Sequence, residues 1–176
     1  MSEPILIVDV QVGFINQFTH HIPQRVVRLI ERDRYSPLLF TRFVNAPGGP
    51  YDRFLDWHSC NSEPETDLVP ELQPFAQTDF IFSKSGLCGM PDELTDYLGK
   101  QHIERVFIVG IDTDMCVLKI AMDLFDIGIE PMVFTDCCAS TAGLQAHLAG
   151  LAVLSRNIGA MRLRDAGLSD GFLAAP

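Results

Sequence analysis

Three side chains of complementary chemistry stand at the ends of apolar runs. Asp9 stands at the end of the run PILIVDV at 4–10, one residue before its last, Lys84 ends DFIFSK at 79–84, and Cys116 follows RVFIVG at 105–110. In an open parallel sheet, ligands bind beyond the carboxyl ends of the strands, so all three residues are expected on one rim. A carboxylate, an ammonium and a thiol are the base, charge stabiliser and nucleophile that an activated-thiol hydrolase requires. Singly, each has an ordinary role: Asp9 capping a turn, Lys84 solvated, Cys116 packed in a core. The convergence is what points to chemistry. A helix N-terminus and Lys84 favour a Cys116 thiolate, whereas Asp112 and Asp114 oppose it.

The elements that must position these groups alternate between two periodicities. Apolar runs at 4–10, 37–44, 79–84, 105–110 and 130–136 read as strands, with a short sixth at 160–163. Between them lie helical patterns at 23–34, 91–100 and 114–126, and one to about residue 157 capped by Ser140 or Thr141. In the first, Val26, Val27 and Ile30 oppose Arg25, Arg28 and Arg32, an amphipathic face. Near-continuous apolar strands separated by helices predict a parallel sheet covered on both faces, a doubly wound α/β sandwich. The stretch 45–74 is long for a connection and rich in Pro and Gly, hence expected to be functional, with a short helix at 51–57.

The chain has 176 residues, enough for one domain spanning 1–176, and 47% of them are hydrophobic. Thirteen Lys and Arg against 23 Asp and Glu give a net charge of -10, the wrong sign for nucleic acid or an anionic membrane. No apolar run approaches the ~20 residues of a membrane helix, and the N-terminus enters a strand pattern without a signal-peptide profile. Five cysteines at 60, 88, 116, 137 and 138, without CxxC spacing, fit a reducing compartment rather than disulfides or a zinc knuckle. A cytoplasmic location is the expectation.

The run Asp9-Val10-Gln11-Val12-Gly13-Phe14, then Lys84, then Gly110-Ile111-Asp112-Thr113-Asp114-Met115-Cys116-Val117 resembles the isochorismatase-like cysteine hydrolases. The resemblance implies a three-layer α/β/α sandwich on a six-stranded, mostly parallel sheet and a triad of Asp9, Lys84 and Cys116. It also implies a cis peptide between Ile111 and Asp112, with the backbone N–H groups of Asp112 and Cys116 as an oxyanion hole. The implied reaction is cleavage of an amide, carbamoyl or ureido C–N bond in a small molecule through a Cys116 thioester.

Two departures narrow that reading. The nicotinamidase members of this family hold a metal through an Asp-x-His pair and a later His. Here the corresponding stretch, Arg42-Phe43-Val44-Asn45-Ala46-Pro47-Gly48-Gly49-Pro50-Tyr51, has no such pair, so neither metal nor cofactor is expected. Asp52 and His58 read as capping or solvated groups. Vinyl-ether-cleaving members usually carry a small residue at the nucleophile position, so a thiol there favours C–N cleavage. Gln11, Phe14, Asn45, Tyr51 and Trp57 are the candidate substrate contacts, with Phe43 beside them; Gln11 could instead orient Asp9. A homo-oligomer is expected, through the helix bearing Leu144, Leu148 and Leu151 or the tail from Phe172 to Pro176. A catalytically silent binding domain and a vinyl-ether hydrolase are the alternatives. GxGxxG and GxxxxGK[ST] are absent, which speaks against a nucleotide-binding module.

Overall fold

The computed structural model describes residues 3–86 and 89–168. Cys88 and the tail from Phe172 to Pro176 lie outside the described residues. Six strands, β1 (Ile5–Val8), β2 (Leu38–Phe43), β3 (Ile81–Lys84), β4 (Arg105–Ile111), β5 (Glu130–Ala139) and β6 (Leu163–Arg164), form one sheet. Its order is β3-β2-β1-β4-β5-β6 and every pairing is parallel. The helices are α1 (Ile22–Asp33), α2 (Pro50–Leu55), α3 (Asp92–Lys100), α4 (Leu118–Asp126) and α5 (Leu144–Leu154).

Strand alternation decides which residues meet which helices. On one face Leu6, Val8, Leu39, Val106 and Ile108 pack against Leu94 and Leu98 of α3, Ile120 and Leu124 of α4, and Leu154 of α5. On the other, Ile5, Ile7, Phe40, Val109 and Ile111 meet Ile22, Val26, Leu29 and Ile30 of α1. That is why β1 and β4 read as unbroken apolar runs: both of their faces are covered. Each fully buried Leu, Ile or Val side chain contributes about 1.5–3 kcal/mol relative to exposure.

The chain leaves β1 in one direction to build β2 and β3 and in the other to build β4, β5 and β6. The order therefore reverses between β1 and β4, and the crevice at their carboxyl ends is where a ligand site belongs in such sheets. Asp9 follows β1 there, and Asp112 follows β4.

Several boundaries differ from the sequence expectation. The chain after β4 makes a wide π turn over Thr113–Val117, and regular α4 starts only at Leu118. Helix α5 starts at Leu144 after Gly143 and has no side-chain cap. The hydroxyl of Ser140 accepts the Ala142 N–H instead, and Thr141 is engaged with Asp112. The regular helix ends at Leu154 and continues as a π turn to Gly159. The short sixth strand falls at Leu163–Arg164, because 160–162 form a 3-10 turn. Trp57 lies beyond α2, which ends at Leu55. Leu144 and Leu148 are exposed, whereas Leu151 packs on the core. Among the described residues, no helix is long and apolar enough to cross a membrane.

Candidate active site

The crevice is assembled from three strand ends. After Val8 the chain turns sharply, with Asp9 in the left-handed region at φ 49°. Thr41 of β2, paired with Val8 in register, fixes the carboxylate. Its hydroxyl donates to Asp9 Oδ1 at 2.6 Å and accepts the Asp9 N–H at 3.2 Å. Lys84, the last residue of β3, lies with Nζ 2.8 Å from Asp9 Oδ2 and 3.2 Å from Cys116 Sγ. The Lys84 and Asp9 side chains are 1% and 0% exposed. The ammonium also stands 5.3 Å from the Phe43 ring centroid, a cation–π contact.

Cys116 sits inside the π turn, where the Val117 N–H reaches back to the Asp112 carbonyl. Two neighbours hold that turn. Thr141 donates its N–H to Asp112 Oδ1 at 2.5 Å and its hydroxyl to Asp112 Oδ2 at 2.8 Å. Gly150 of α5 packs against it so closely that a Cβ there would meet the Asp114 backbone at 2.8 Å. The Ile111–Asp112 peptide is cis.

Burial pushes the Cys116 thiol up to about 12; Asp9 adds to that rise and Lys84 counters it. Burial works against the charged Lys84, yet the neighbouring Asp9 and Cys116 outweigh it and hold the ammonium above the ordinary lysine range. The resting site is therefore a thiol beside an ammonium–carboxylate pair, not a free thiolate. Burial also raises Asp112, against the two Thr141 hydrogen bonds.

A consequence is that the two charges act on Cys116 in opposite directions. Iodoacetamide is expected to modify Cys116 slowly at neutral pH in the wild type, faster in Asp9→Asn and slowest in Lys84→Met. Each unit of pKa change alters the thiolate fraction about tenfold. Peptide mass spectrometry reads the rates, with buried Cys60, Cys137 and Cys138 as internal references. The reverse order would show that these charges do not tune the thiol.

Above Cys116 lies a cavity of about 410 Å³ bounded by Phe14, Phe43, Tyr51, Trp57, Leu55 and Met115, with Asp112 and Thr141 at its polar side. Phe14 and Trp57 stack at 6.5 Å between centroids, and Tyr51 and Trp57 tilt against each other at 5.3 Å. Phe14, Tyr51 and Trp57 thus come to the thiol together with Phe43. A larger depression of about 700 Å³ lies at the opposite end of the sheet, around Pro4 and Glu104, and has no cysteine in its wall.

Gln11 and Asn45 are not brought to this cavity. The Gln11 side chain is fully buried, donating to the Phe43 and Thr66 carbonyls and accepting the Phe43 N–H. It stitches β2 to the long loop and neither touches a substrate space nor orients Asp9. Asn45 is buried too, with Nδ2 donating to Asp52 Oδ1 and to the carbonyls of Trp57 and Ser59. Its effect on the cavity is indirect, through the loop that carries Trp57. Asp52 accepts the Gly48 N–H, and His58 pairs with Asp52 and Asp56 at the surface. Among the described residues, no three His, Cys, Asp or Glu side chains group as metal ligands.

The sequence gives no site role to Thr41 or Gly150, and it offers Thr141 only as a helix cap, whereas Thr141 holds Asp112. A threonine in the middle of the buried run PLLFTRFV is a signal in itself, because a buried hydroxyl needs partners. Thr41→Val keeps the shape and strips Asp9 of two hydrogen bonds. It is expected to cost about 1–3 kcal/mol in urea unfolding and to slow turnover, with Thr41→Ser restoring both. An unchanged kcat in Thr41→Val would remove Thr41 from any role in holding the carboxylate.

Fold and site together define an α/β domain with a buried acid–amine–thiol constellation at its topological switch point. The isochorismatase domain model matches residues 4–164, and the chain belongs to that family of hydrolases. Isochorismatase domain-containing protein 2 from Rattus norvegicus is 32% identical over 88 residues, which are 50% of this chain and 39% of the relative. The chain thus matches well under half the length of that relative. An isochorismatase-like hydrolase from Alkaliphilus metalliredigens superposes with a TM-score of 0.80 at 21% identity, covering 94% of this chain and 96% of that one. Nicotinamidase from Bacillus subtilis gives 0.77 at 18% identity, covering 94% and 100%. N-carbamoylsarcosine amidase from Thermoplasma acidophilum gives 0.74 at 19% identity, covering 95% and 98%. These solved structures share the fold with this chain.

Proposed function

We propose that the protein is a cysteine amidohydrolase that opens a C–N bond of a small, neutral, flat substrate. The observation that carries this reading is the contact of Lys84 Nζ with both Asp9 Oδ2 and Cys116 Sγ at the floor of the cavity. The Lys84 ammonium contacts both groups and so brings the Asp9 carboxylate and the Cys116 thiol to one centre, with a proton acceptor beside the sulfur. Nicotinamidase and N-carbamoylsarcosine amidase among the proteins of like fold support C–N chemistry.

In the first half-reaction Asp9 takes the Cys116 proton as sulfur bonds to the substrate carbonyl carbon. The backbone N–H groups of Asp112 and Cys116 hold the oxyanion. Asp9 then returns that proton to the nitrogen, the C–N bond breaks, and ammonia or an amine leaves a thioester on Cys116. In the second half-reaction water gives its proton to Asp9 and adds to the thioester carbon. The C–S bond breaks, the acid is released and the proton returns to sulfur. Lys84 stays protonated throughout and offsets the charge on the carboxylate or sulfur.

The walls support a neutral substrate. Four aromatic rings line the cavity, no arginine or histidine does among the described residues, and the Asp112 carboxylate is occupied by Thr141. A carboxylate-bearing substrate would lose its hydration there without gaining an uncommitted cationic partner, since buried Lys84 is already paired with Asp9. Ammonia release is expected from neutral aromatic amides and ureas, and at least tenfold more slowly from ureido acids of similar size. Denaturing mass spectrometry of enzyme quenched during turnover is expected to find the acyl group on Cys116, and Cys116→Ala is expected to show neither acylation nor release. Turnover that survives Cys116→Ala would refute the thioester reading, and a preference for the ureido acids would refute the neutral-substrate reading.

A further inference from the structure

A second cavity, of about 370 Å³, lies between the start of α1 and the start of α5 and shares no lining residue with the cavity above Cys116. His21, just before α1, and Arg25 on it line one side, His147 of α5 the other, and Gln17, Thr135, Asp136 and Ser140 are the further polar residues of the wall. Arg25 Nη1 donates to the Asp136 carbonyl at 2.6 Å. Among the described residues, no carboxylate lies within ion-pair distance of that guanidinium. The Asp136 carboxylate is turned to other work, accepting the N–H groups of Ala166 and Leu168 at 2.8 and 3.1 Å. His147 commits one ring nitrogen, Nδ1, to Thr113 Oγ1 at 2.8 Å, with Asp114 as the carboxylate that acts on it. The start of α5, which has no side-chain cap, is at the same cavity, whose wall includes Gly143 and Leu144.

The sequence places Arg25 and His147 far apart, and no role in amide hydrolysis falls to them. We propose that this cavity binds a tetrahedral oxyanion: phosphate, free or as the head of a small phosphomonoester. A guanidinium, two imidazoles and a helix start approach from two different elements. That suits an acceptor with oxygens on several sides better than a planar carboxylate, which one guanidinium fork satisfies. Burial, with Arg25, His20 and His147 nearby, lowers His21 to about 4, so the empty site holds it neutral. A bound dianion reverses the balance and draws a proton onto the ring. Binding of an ion whose own charge is constant therefore strengthens as pH falls toward about 6.

Calorimetric titration of the whole chain at constant ionic strength, with chloride as background, tests this. The probes are sulfate, inorganic phosphate and glycerol phosphate; the proteins are wild type, His21→Gln and Arg25→Gln. Saturable binding is expected in the wild type, at least tenfold weaker in each variant, and tighter for sulfate at about pH 6 than at about pH 8. His21→Gln removes no side-chain hydrogen bond seen at His21, and a circular dichroism melt establishes that both variants are folded. If Arg25→Gln does not fold, His21→Gln alone decides. Stronger binding of glycerol phosphate than of phosphate assigns the phosphomonoester, and the reverse assigns the free ion. Absence of saturable binding in the wild type, equal binding in folded variants, or binding abolished by alkylating Cys116 would each overturn the site. None of these readouts depends on turnover, so the amidohydrolase reading stands or falls separately.

Discussion

Lys84→Met is expected to lower the unfolding free energy by about 3–5 kcal/mol and to reduce turnover by at least about a thousandfold. The first figure follows from where the ion pair lies. Both side chains are withdrawn from water, and removing the ammonium leaves the Asp9 carboxylate with Thr41 as its remaining hydrogen-bond donor. Asp9→Asn is expected to be similarly harmful, since it strands the ammonium. The informative protein is the double variant, Asp9→Asn with Lys84→Met. A buried pair replaced by neutral groups of similar size is often no less stable than the original. The double variant should therefore recover most of the lost stability and none of the activity. Urea unfolding measures the first quantity, and ammonia release from a hydrolysed amide of the panel measures the second. Stability that falls additively in the double variant would mean that the two charges do not compensate each other, and the pair would lose its place at the centre of the site.

That dissociation also explains why such a pair is placed in the core. If an apolar filling serves the fold as well, the proposed role of the charges at the thiol is what accounts for them. Burial raises the Cys116 thiol and so favours its protonated form, which in the proposed mechanism persists until Asp9 takes the proton. The aromatic walls supply that burial, and they also exclude water from the first half-reaction. Tyr51 shares this environment: burial raises its phenol, as does the nearby Cys116.

The parts of this arrangement that the sequence reveals are those governed by local pattern. Asp9 and Lys84 stand out because each ends a run of strand residues, and strand ends share a rim whatever the detailed packing. The parallel sheet is legible for the same reason, since β1 and β4 are apolar at every second position and at those between. Gln11 misleads because an amide's partners depend on which backbone approaches it. Here one is the Thr66 carbonyl, 55 residues away, a neighbour no local pattern announces. Asn45 fails likewise: a turn-like context gives no sign that Trp57 and Ser59 carbonyls will close on its amide. The ionisation of the Cys116 thiol stays open in the sequence, because Lys84, the helix start and the two aspartates are visible in sequence order while desolvation is a property of the finished packing. The cavity of Arg25 and His147 is invisible for the same reason, its walls coming from opposite ends of the chain.

The second large effect is expected at Gly110, where β4 passes β1 at the mouth of the crevice. Its φ of +131° is one that side-chain-bearing residues rarely adopt, and a Cβ there would stand 2.1 Å from the Val8 carbonyl oxygen. The obstacle is strand backbone, which cannot swing aside as a flexible side chain would. Val8 and Gly110 are partners in the β1–β4 register, so relief requires the two strands to part. The strain of the backbone angle and the overpacking together make Gly110→Ala cost about 3 kcal/mol or more. Gly128→Ala is the matched control: it too has a positive φ, +82°, but nothing lies within 4 Å of its added methyl group. That variant should lose only the backbone contribution, about 1–2 kcal/mol, and keep full activity. Gly110→Ala should lose activity out of proportion to its stability, because Val8 precedes Asp9, the proposed base, and Gly110 precedes the turn that carries Cys116, the proposed nucleophile. Widening the gap between β1 and β4 moves Asp9 away from Cys116, and the proposed proton transfer between them falls off steeply with distance. Urea unfolding and turnover measured on the folded fraction separate the two losses. If Gly110→Ala matches Gly128→Ala in both, the close approach of the strands is not what sets the distance between acid and thiol.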